Sequence, residues 1–194
     1  DRACSIWEKR LSLSYVPYLQ AQADNYGLHI QTYTADAIVS PAEDAEITYY
    51  RRKIHLPLLI SPNLRDALTE GPFKMLAISL NDFDKLEAFR SSISDWAQNK
   101  VRTIYSNHMY LELFDWDAGK GNAVRFLCDY FHVPLSDAYA AGDADNDISM
   151  LAAAGTGIAM LNASEKVKQK ADVITGLDND HDGLAATMRQ LLHI

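Results

Sequence analysis

Apolar and polar residues follow two different rhythms along the chain, and the change falls near residue 117. In the first part, Leu28-His29-Ile30-Gln31-Thr32-Tyr33 and the stretches 74–80 and 110–114 alternate with a period of two, the pattern of strands in a sheet with one solvated face. Helices are predicted between them. The clearest follows Asp82, which suits an N-cap, with Phe83, Leu86, Phe89 or Arg90, Ile93 and Trp96 or Ala97 recurring at three-to-four spacing. A second spans 15–26 and stops at Gly27, a residue that tolerates the left-handed backbone of a helix C-terminus. A third is expected over 41–53, with Pro41 in its first turn and Glu43, Asp44 and Glu46 at the positive end of its dipole.

From Lys120 onward, short elements alternate regularly. Helices are expected over 122–132, 147–153, 164–171 and 183–192, and short apolar strands over 138–141, 157–160 and 172–175. Uninterrupted apolar strands separated by helices indicate a parallel sheet covered on both faces. The fold class is therefore α/β: an α+β domain over residues 1–116 joined to a parallel-sheet domain over 117–194.

Composition narrows the function classes. Hydrophobic residues make up 48% of the 194 and charged residues 23%, close to the globular average and enough for a real core. Eighteen basic against 26 acidic residues give −8 at pH 7, which argues against a general binder of nucleic acid or of anionic membranes. The basic run Arg51-Arg52-Lys53 reads as a solvated helix face. The uncharged stretch 148–164 carries Gly155, Gly157 and Asn162 and falls short of the ~20 apolar residues of a membrane span. Cys4 and Cys128 are too few for a disulfide framework, which together with the absence of an apolar block before Lys9 and Arg10 suits a cytoplasmic protein.

The most informative segment is Gly142-Asp143-Ala144-Asp145-Asn146-Asp147, directly after the expected strand 138–141. Open parallel sheets place ligands at the carboxyl ends of their strands. Three carboxylates within five residues repel one another, each close pair by roughly 1 kcal/mol in water, and a divalent cation would remove that cost. Oxygen donors without His or Cys suit magnesium or calcium rather than zinc. The alternative is that these acids cap the helix beginning near Asp147. An EF-hand fails here, because Ile148 stands at the required glycine and Ala154 at the closing glutamate. Asp178, Asp180, Asp182 and Gly183 imitate its first half, but Arg189 stands at the twelfth position. Gly155-Thr156-Gly157 is no dinucleotide fingerprint, since Met160 replaces the third glycine. The six histidines are scattered without ligand spacing.

The ordered series Gly142 to Leu151, Ala154-Gly155, Ile158-Ala159-Met160, Asn162-Ala163, Ala171-Asp172 and Asp182-Gly183 resembles the C-terminal half of a Cof-type phosphatase of the haloacid dehalogenase (HAD) superfamily. Lys120-Gly121-Asn122-Ala123 resembles the lysine motif of that family, and the first part resembles in layout the cap inserted into its core. The resemblance implies a Rossmannoid core with an α+β cap. It also implies a magnesium-dependent phosphatase of small phosphorylated metabolites working through an aspartyl-phosphate. Carried over by motif, Asp143 is implied as a direct magnesium ligand, Asp147 as a ligand directly or through water, and Asn146 as a partner of the phosphoryl oxygens or an organiser of the loop. Lys120 is implied as the ammonium that neutralises phosphate and nucleophile, while Asp145 occupies a variable position.

The sequence departs from the family at one point. The family places a strand and Asp-x-Asp ahead of the cap, and nothing upstream of the cap-like part supplies it. Asp115-Trp116-Asp117 imitates the motif but leads straight into Lys120, so it reads as a linker. The chain is accordingly expected to be a fragment that is inactive alone and that self-associates through the strand edge left open beside 138–141. The alternatives are a non-catalytic binding module that keeps the metal loop, or a phosphomutase.

Overall fold

The computed structural model describes residues 5–193, which form two compact units, one of Glu8–Ala118 and one that runs on from Gly119 and takes in Trp7. Cys4 lies outside the described residues; Cys128 is a buried free thiol.

The larger unit contains α1 (Val16–Asn25), β1 (His29–Tyr33), β2 (Ile38–Ser40), α2 (Ala45–Tyr50), β3 (Leu58–Ile60), β4 (Lys74–Ile78), α3 (Phe83–Ala97), β5 (Val101–Asn107) and β6 (Tyr110–Asp115). Its six-stranded sheet has the order β3-β2-β1-β4-β6-β5, antiparallel apart from the β2–β3 pair. One core joins Ile30, Met75, Ala77, Leu111 and Leu113 of the sheet to Leu19 and Ala23 of α1 and Leu86, Phe89 and Ile93 of α3. Burying a side chain such as Phe89 stabilises by about 1.5–3 kcal/mol. Asp82 caps α3 as its spacing predicts, accepting from Lys85 N at 3.2 Å, and Gly27 takes the left-handed backbone after α1 at φ +59°.

Two expectations are corrected in this unit. The third helix is shorter than 41–53: Asp44 accepts from Ile47 N at 2.9 Å and starts α2 there, while Arg51 to Lys53 form a turn beyond it. The polar face of β1 is not solvated, because His29 and Gln31 are buried along with Ile30 and Thr32. The strands β2, β3 and β5 were not apparent from periodicity.

The second unit alternates α4 (Lys120–Phe131), β7 (Tyr139–Gly142), α5 (Ile148–Leu151), β8 (Thr156–Ala159), α6 (Glu165–Lys168), β9 (Val173–Ile174) and α7 (Gly183–Leu192). The three strands are parallel in the order β7-β8-β9, with Tyr139 opposite Thr156 and Ile158 opposite Val173. Ala140, Ala159, Leu151, Ala163 and Val167 form its core. Trp7 stacks on Phe126 of α4 at 5.8 Å. The expected elements appear at their places, and three are shorter: the helix over 147–153 is a tight turn at Asp145–Asp147 followed by α5, the one over 164–171 is α6, and the strand over 172–175 is β9. Among the described residues, no helix is long and apolar enough to cross a membrane.

Candidate active site

The carboxyl end of β7 carries the acidic loop. The carbonyl of Ala144 accepts from Asp147 N at 2.9 Å, which folds Asp145–Asp147 into a single tight turn and points the Asp147 side chain back under the loop. Asp147 is only 3% exposed, and its Oδ2 accepts from the backbone N–H of Asp143 at 3.0 Å and of Ala144 at 3.1 Å. Its Oδ1 accepts from the Lys120 ammonium. Burial pushes the Asp147 carboxyl up, but the Lys120 hydrogen bond, the two backbone donors and the Lys120 charge outweigh it and hold the group below the usual aspartate range.

Two glycines make this arrangement possible. A Cβ on Gly142 would lie 2.4 Å from the Asp147 Cβ and 2.7 Å from its Oδ2, so only glycine lets the carboxylate tuck beneath the strand end. A Cβ on Gly121 would lie 2.4 Å from the Ser149 carbonyl oxygen, and Gly121 N donates to Ser149 Oγ at 3.2 Å. The first turn of α4 is thereby held against α5, and Lys120, the first residue of α4, is presented to Asp147. Gly121, Gly142 and Ser149 had no assigned role in the sequence; a glycine at a strand end and another at a helix start were the available signal.

The structure brings the four predicted residues to one place. Lys120 and Asp147 are bonded, and Asp143 and Asn146 stand exposed on the same loop. Among the described residues, neither the Asp143 carboxylate nor the Asn146 amide has a hydrogen-bond or ion-pair partner. Asp145 instead pairs with Lys166 Nζ at 2.6 Å, an exposed pair contributing at most about 1 kcal/mol.

The donor set is all oxygen, as magnesium requires, yet among the described residues no three His, Cys, Asp or Glu side chains converge. Magnesium commonly uses one or two carboxylates, keeps several waters and takes the rest from substrate phosphate. Asp143 fits as a direct ligand of that kind. Asp147, whose oxygens already accept three donors, fits as a ligand through water. The second acidic series is a turn rather than a metal loop: Asp178 accepts from Asp180 N at 3.1 Å and lies 2.5 Å from His181 Nδ1. Asp115 ends β6, where its Oδ1 accepts from Asp117 N at 2.9 Å, the geometry of a turn.

Comparison with known proteins adds independent findings. The sequence model of haloacid dehalogenase-like hydrolases matches residues 5–188. The chain is 35% identical over 123 residues to a 5-amino-6-(5-phospho-D-ribitylamino)uracil phosphatase of Bacillus subtilis, covering 63% of this chain and 42% of that protein. It is 47% identical over 81 residues to a second Bacillus subtilis phosphatase, covering 42% of this chain and 28% of that one. A crystal structure of a haloacid dehalogenase-like hydrolase from Bacteroides thetaiotaomicron superposes with a TM-score of 0.78 at 29% identity, over 96% of this chain and 69% of that one. A Thermotoga maritima protein gives 0.77 at 27% identity, over 95% and 68%. The chain thus spans under half the length of these curated relatives and about two thirds of the solved ones.

Proposed function

Because the chain belongs to the haloacid dehalogenase-like hydrolase family, we propose that it supplies the phosphate-binding half-site of a magnesium-dependent phosphatase acting on small phosphorylated metabolites. The observation that carries this reading is the Lys120 ammonium held on buried Asp147 at the carboxyl end of a parallel strand, beside the exposed carboxylate of Asp143, which has no partner among the described residues. In this reading the larger unit corresponds to the family's cap.

An ammonium has three protons, and Asp147 takes one, so Lys120 keeps two to donate to phosphoryl oxygens. Asp147 fixes the direction of that side chain and balances its charge while no phosphate is bound. The Asn146 amide, exposed on the loop, donates to a second phosphoryl oxygen. Asp143 would hold a magnesium ion together with water, and the ion would supply charge that offsets the repulsion between a phosphate and a carboxylate. Hydrolysis in this scheme passes through an aspartyl-phosphate: an aspartate oxygen bonds to phosphorus, the alkoxide leaves, and water then releases phosphate. None of the four residues is that nucleophile. Asp147 is buried and bonded three times, and Asp143 is assigned to the ion, so the chain by itself binds without turning over.

The test is turnover of p-nitrophenyl phosphate with magnesium by the chain and by a fusion carrying a strand and Asp-x-Asp segment of the family. Hydrolysis by the fusion alone, abolished by Asp143→Asn, is the expected result. A folded fusion that stays silent would favour a non-catalytic module that retains the metal loop.

A further inference from the structure

The six-stranded sheet ends on β5, and among the described residues no further strand pairs with it. One hydrogen bond fixes which of its backbone groups face outward. Trp116 N donates to Lys100 O at 3.1 Å, and this pair continues the register in which Val101 stands opposite Asp115. Bonded pairs alternate along an antiparallel ladder, so Arg102 and Ile104 bond across to Phe114 and Glu112. The N–H and C=O groups of Val101, Thr103 and Tyr105 therefore point away from the sheet. The other side of β6 agrees: Ser79 N donates to Met109 O at 3.1 Å, which commits the odd-numbered residues of β6 to β4 and leaves the even-numbered ones for β5.

These outward groups open into a groove of about 730 Å³ between β5 and the flank of α3. Four consecutive strand residues, 101–104, line it; neighbouring side chains point to opposite faces, so what the four share is the backbone edge itself. From α3 come Glu87, Arg90, Ser91, Ser94 and Gln98, at the three-to-four spacing of one helical stripe. Ile93, Ala97 and Val101, all buried, give the groove an apolar floor. An extended segment laid there satisfies the strand edge with main-chain hydrogen bonds and turns alternate side chains toward the floor.

The charges select the occupant. Glu87 accepts from Arg90 Nη1 at 3.3 Å and from Tyr105 Oη at 2.8 Å, so its carboxylate is engaged within the unit. Among the described residues no carboxylate pairs with Arg102, whose Nε donates to the Trp116 carbonyl and whose guanidinium lies 5.0 Å from the Trp116 ring centroid. A second copy of β5 fits poorly on this edge. A two-fold pairing centred on Thr103 brings together two Arg90 side chains, each donating to its own Thr103 Oγ1 at 3.3 Å. Centred on Arg102 or Val101, it sets that arginine opposite its own counterpart or opposite Lys100, and like charges directly opposite are destabilising. Centred on Ile104 or Tyr105, it runs onto the irregularity between Tyr105 and Asn107. An acid opposite Arg102 meets none of these obstacles.

We propose that the β5 edge and the α3 flank bind an extended segment of a partner protein as an added strand, with a carboxylate opposite Arg102 and an apolar side chain next to it over the groove floor. The inference does not rest on the phosphatase reading, since every residue in it belongs to the larger unit and none to the acidic loop.

The test uses the full nitrogen-15-labelled chain and the blocked hexapeptide acetyl-Val-Glu-Val-Glu-Val-Glu-amide, read by NMR amide shifts and hydrogen exchange. At millimolar peptide the Val101, Thr103 and Tyr105 amides should shift and gain protection, while those of Arg102 and Ile104, already bonded to β6, keep theirs. The same peptide with lysine in place of glutamate should bind several-fold more weakly, and Arg102→Glu should reverse that order. Thr103→Pro removes one outward donor and no bond to β6, the position at which an edge strand tolerates proline, and should weaken the acidic peptide several-fold. Three results would each overturn the proposal: an acidic peptide that leaves those three amides unmoved, equal binding of the acidic and basic peptides, or concentration-dependent protection of the same amides without peptide, the mark of a second copy on the edge. The wild-type readings decide even where a variant does not fold.

Discussion

Lys120 and Asp147, 27 residues apart in sequence, are joined by a charge-assisted hydrogen bond that links the first turn of α4 to the loop after β7. The partners differ in surroundings: the Lys120 side chain is 50% exposed and the Asp147 side chain 4%. The exposed ammonium can therefore reach a ligand with its remaining protons while the buried carboxylate holds it in place.

Lys120→Met leaves Asp147 buried with two backbone donors. Losing a hydrogen bond to a charged group, with half-exposed Lys120 still partly screened by water, predicts a loss of about 1–3 kcal/mol in denaturant unfolding. The Asp147 carboxyl should move up toward the ordinary aspartate range, because the Lys120 hydrogen bond and charge that hold it down are gone, a shift that carbon-13 NMR of its carboxyl carbon reads directly.

Stability should depend on acid in a defined direction. The folded-state value of Asp147 is depressed, so its contribution is fully present above the ordinary aspartate range and is lost as pH falls through that range and down to the folded value. Unfolding midpoints recorded from neutral pH downward should show this loss in the wild type. The slope should be shallower in Asp147→Asn, which has no carboxyl to protonate.

Gly142→Ala places a methyl group 2.4 Å from the Asp147 Cβ. The strand end and the carboxylate must then separate, at a cost of about 1–3 kcal/mol for overpacking. Phosphate affinity should fall with stability, because the same shift draws Asp147 away from Lys120. An alanine at Gly176, where nothing lies within 4 Å, is the matched control and should be close to neutral.

Among the described residues no strand pairs with the edge of β7 away from β8, and Leu127, Tyr130, Phe131 and Tyr139 are exposed in the same unit. An unpaired edge beside apolar surface favours association. Analytical ultracentrifugation should show concentration-dependent self-association, and hydrogen exchange should show weak protection of the β7 amides. A monodisperse monomer with slow exchange across residues 138–160 would contradict this.

Much of the architecture was legible because local chemistry marked it. Asp82 and Gly27 flank helices where capping physics puts them, and the short apolar strands of the second unit announced a parallel sheet. The misreadings have physical causes. Alternation in β1 looks the same whether its polar residues meet water or, as His29 and Gln31 do, one another. The acidic run before α2 suggested a longer helix, although Asp44 alone acts as its cap. The strands β2 and β3 have three residues each, too few to show a period, and β5 mixes polar and apolar residues on both faces. At the site, the loop was visible as a knot of carboxylates. Its tie to Lys120 was not, since no spacing rule connects residues from two different elements, and only the family resemblance pointed to that lysine.

The central claim is that Asp143 and Lys120 bind a magnesium ion and a phosphate together. Isothermal titration of the full chain with inorganic phosphate, in the presence and absence of magnesium, tests it most directly. Binding that requires magnesium and disappears in both Asp143→Asn and Lys120→Met is the predicted result; no binding at millimolar phosphate, or binding that both substitutions leave intact, would contradict the account.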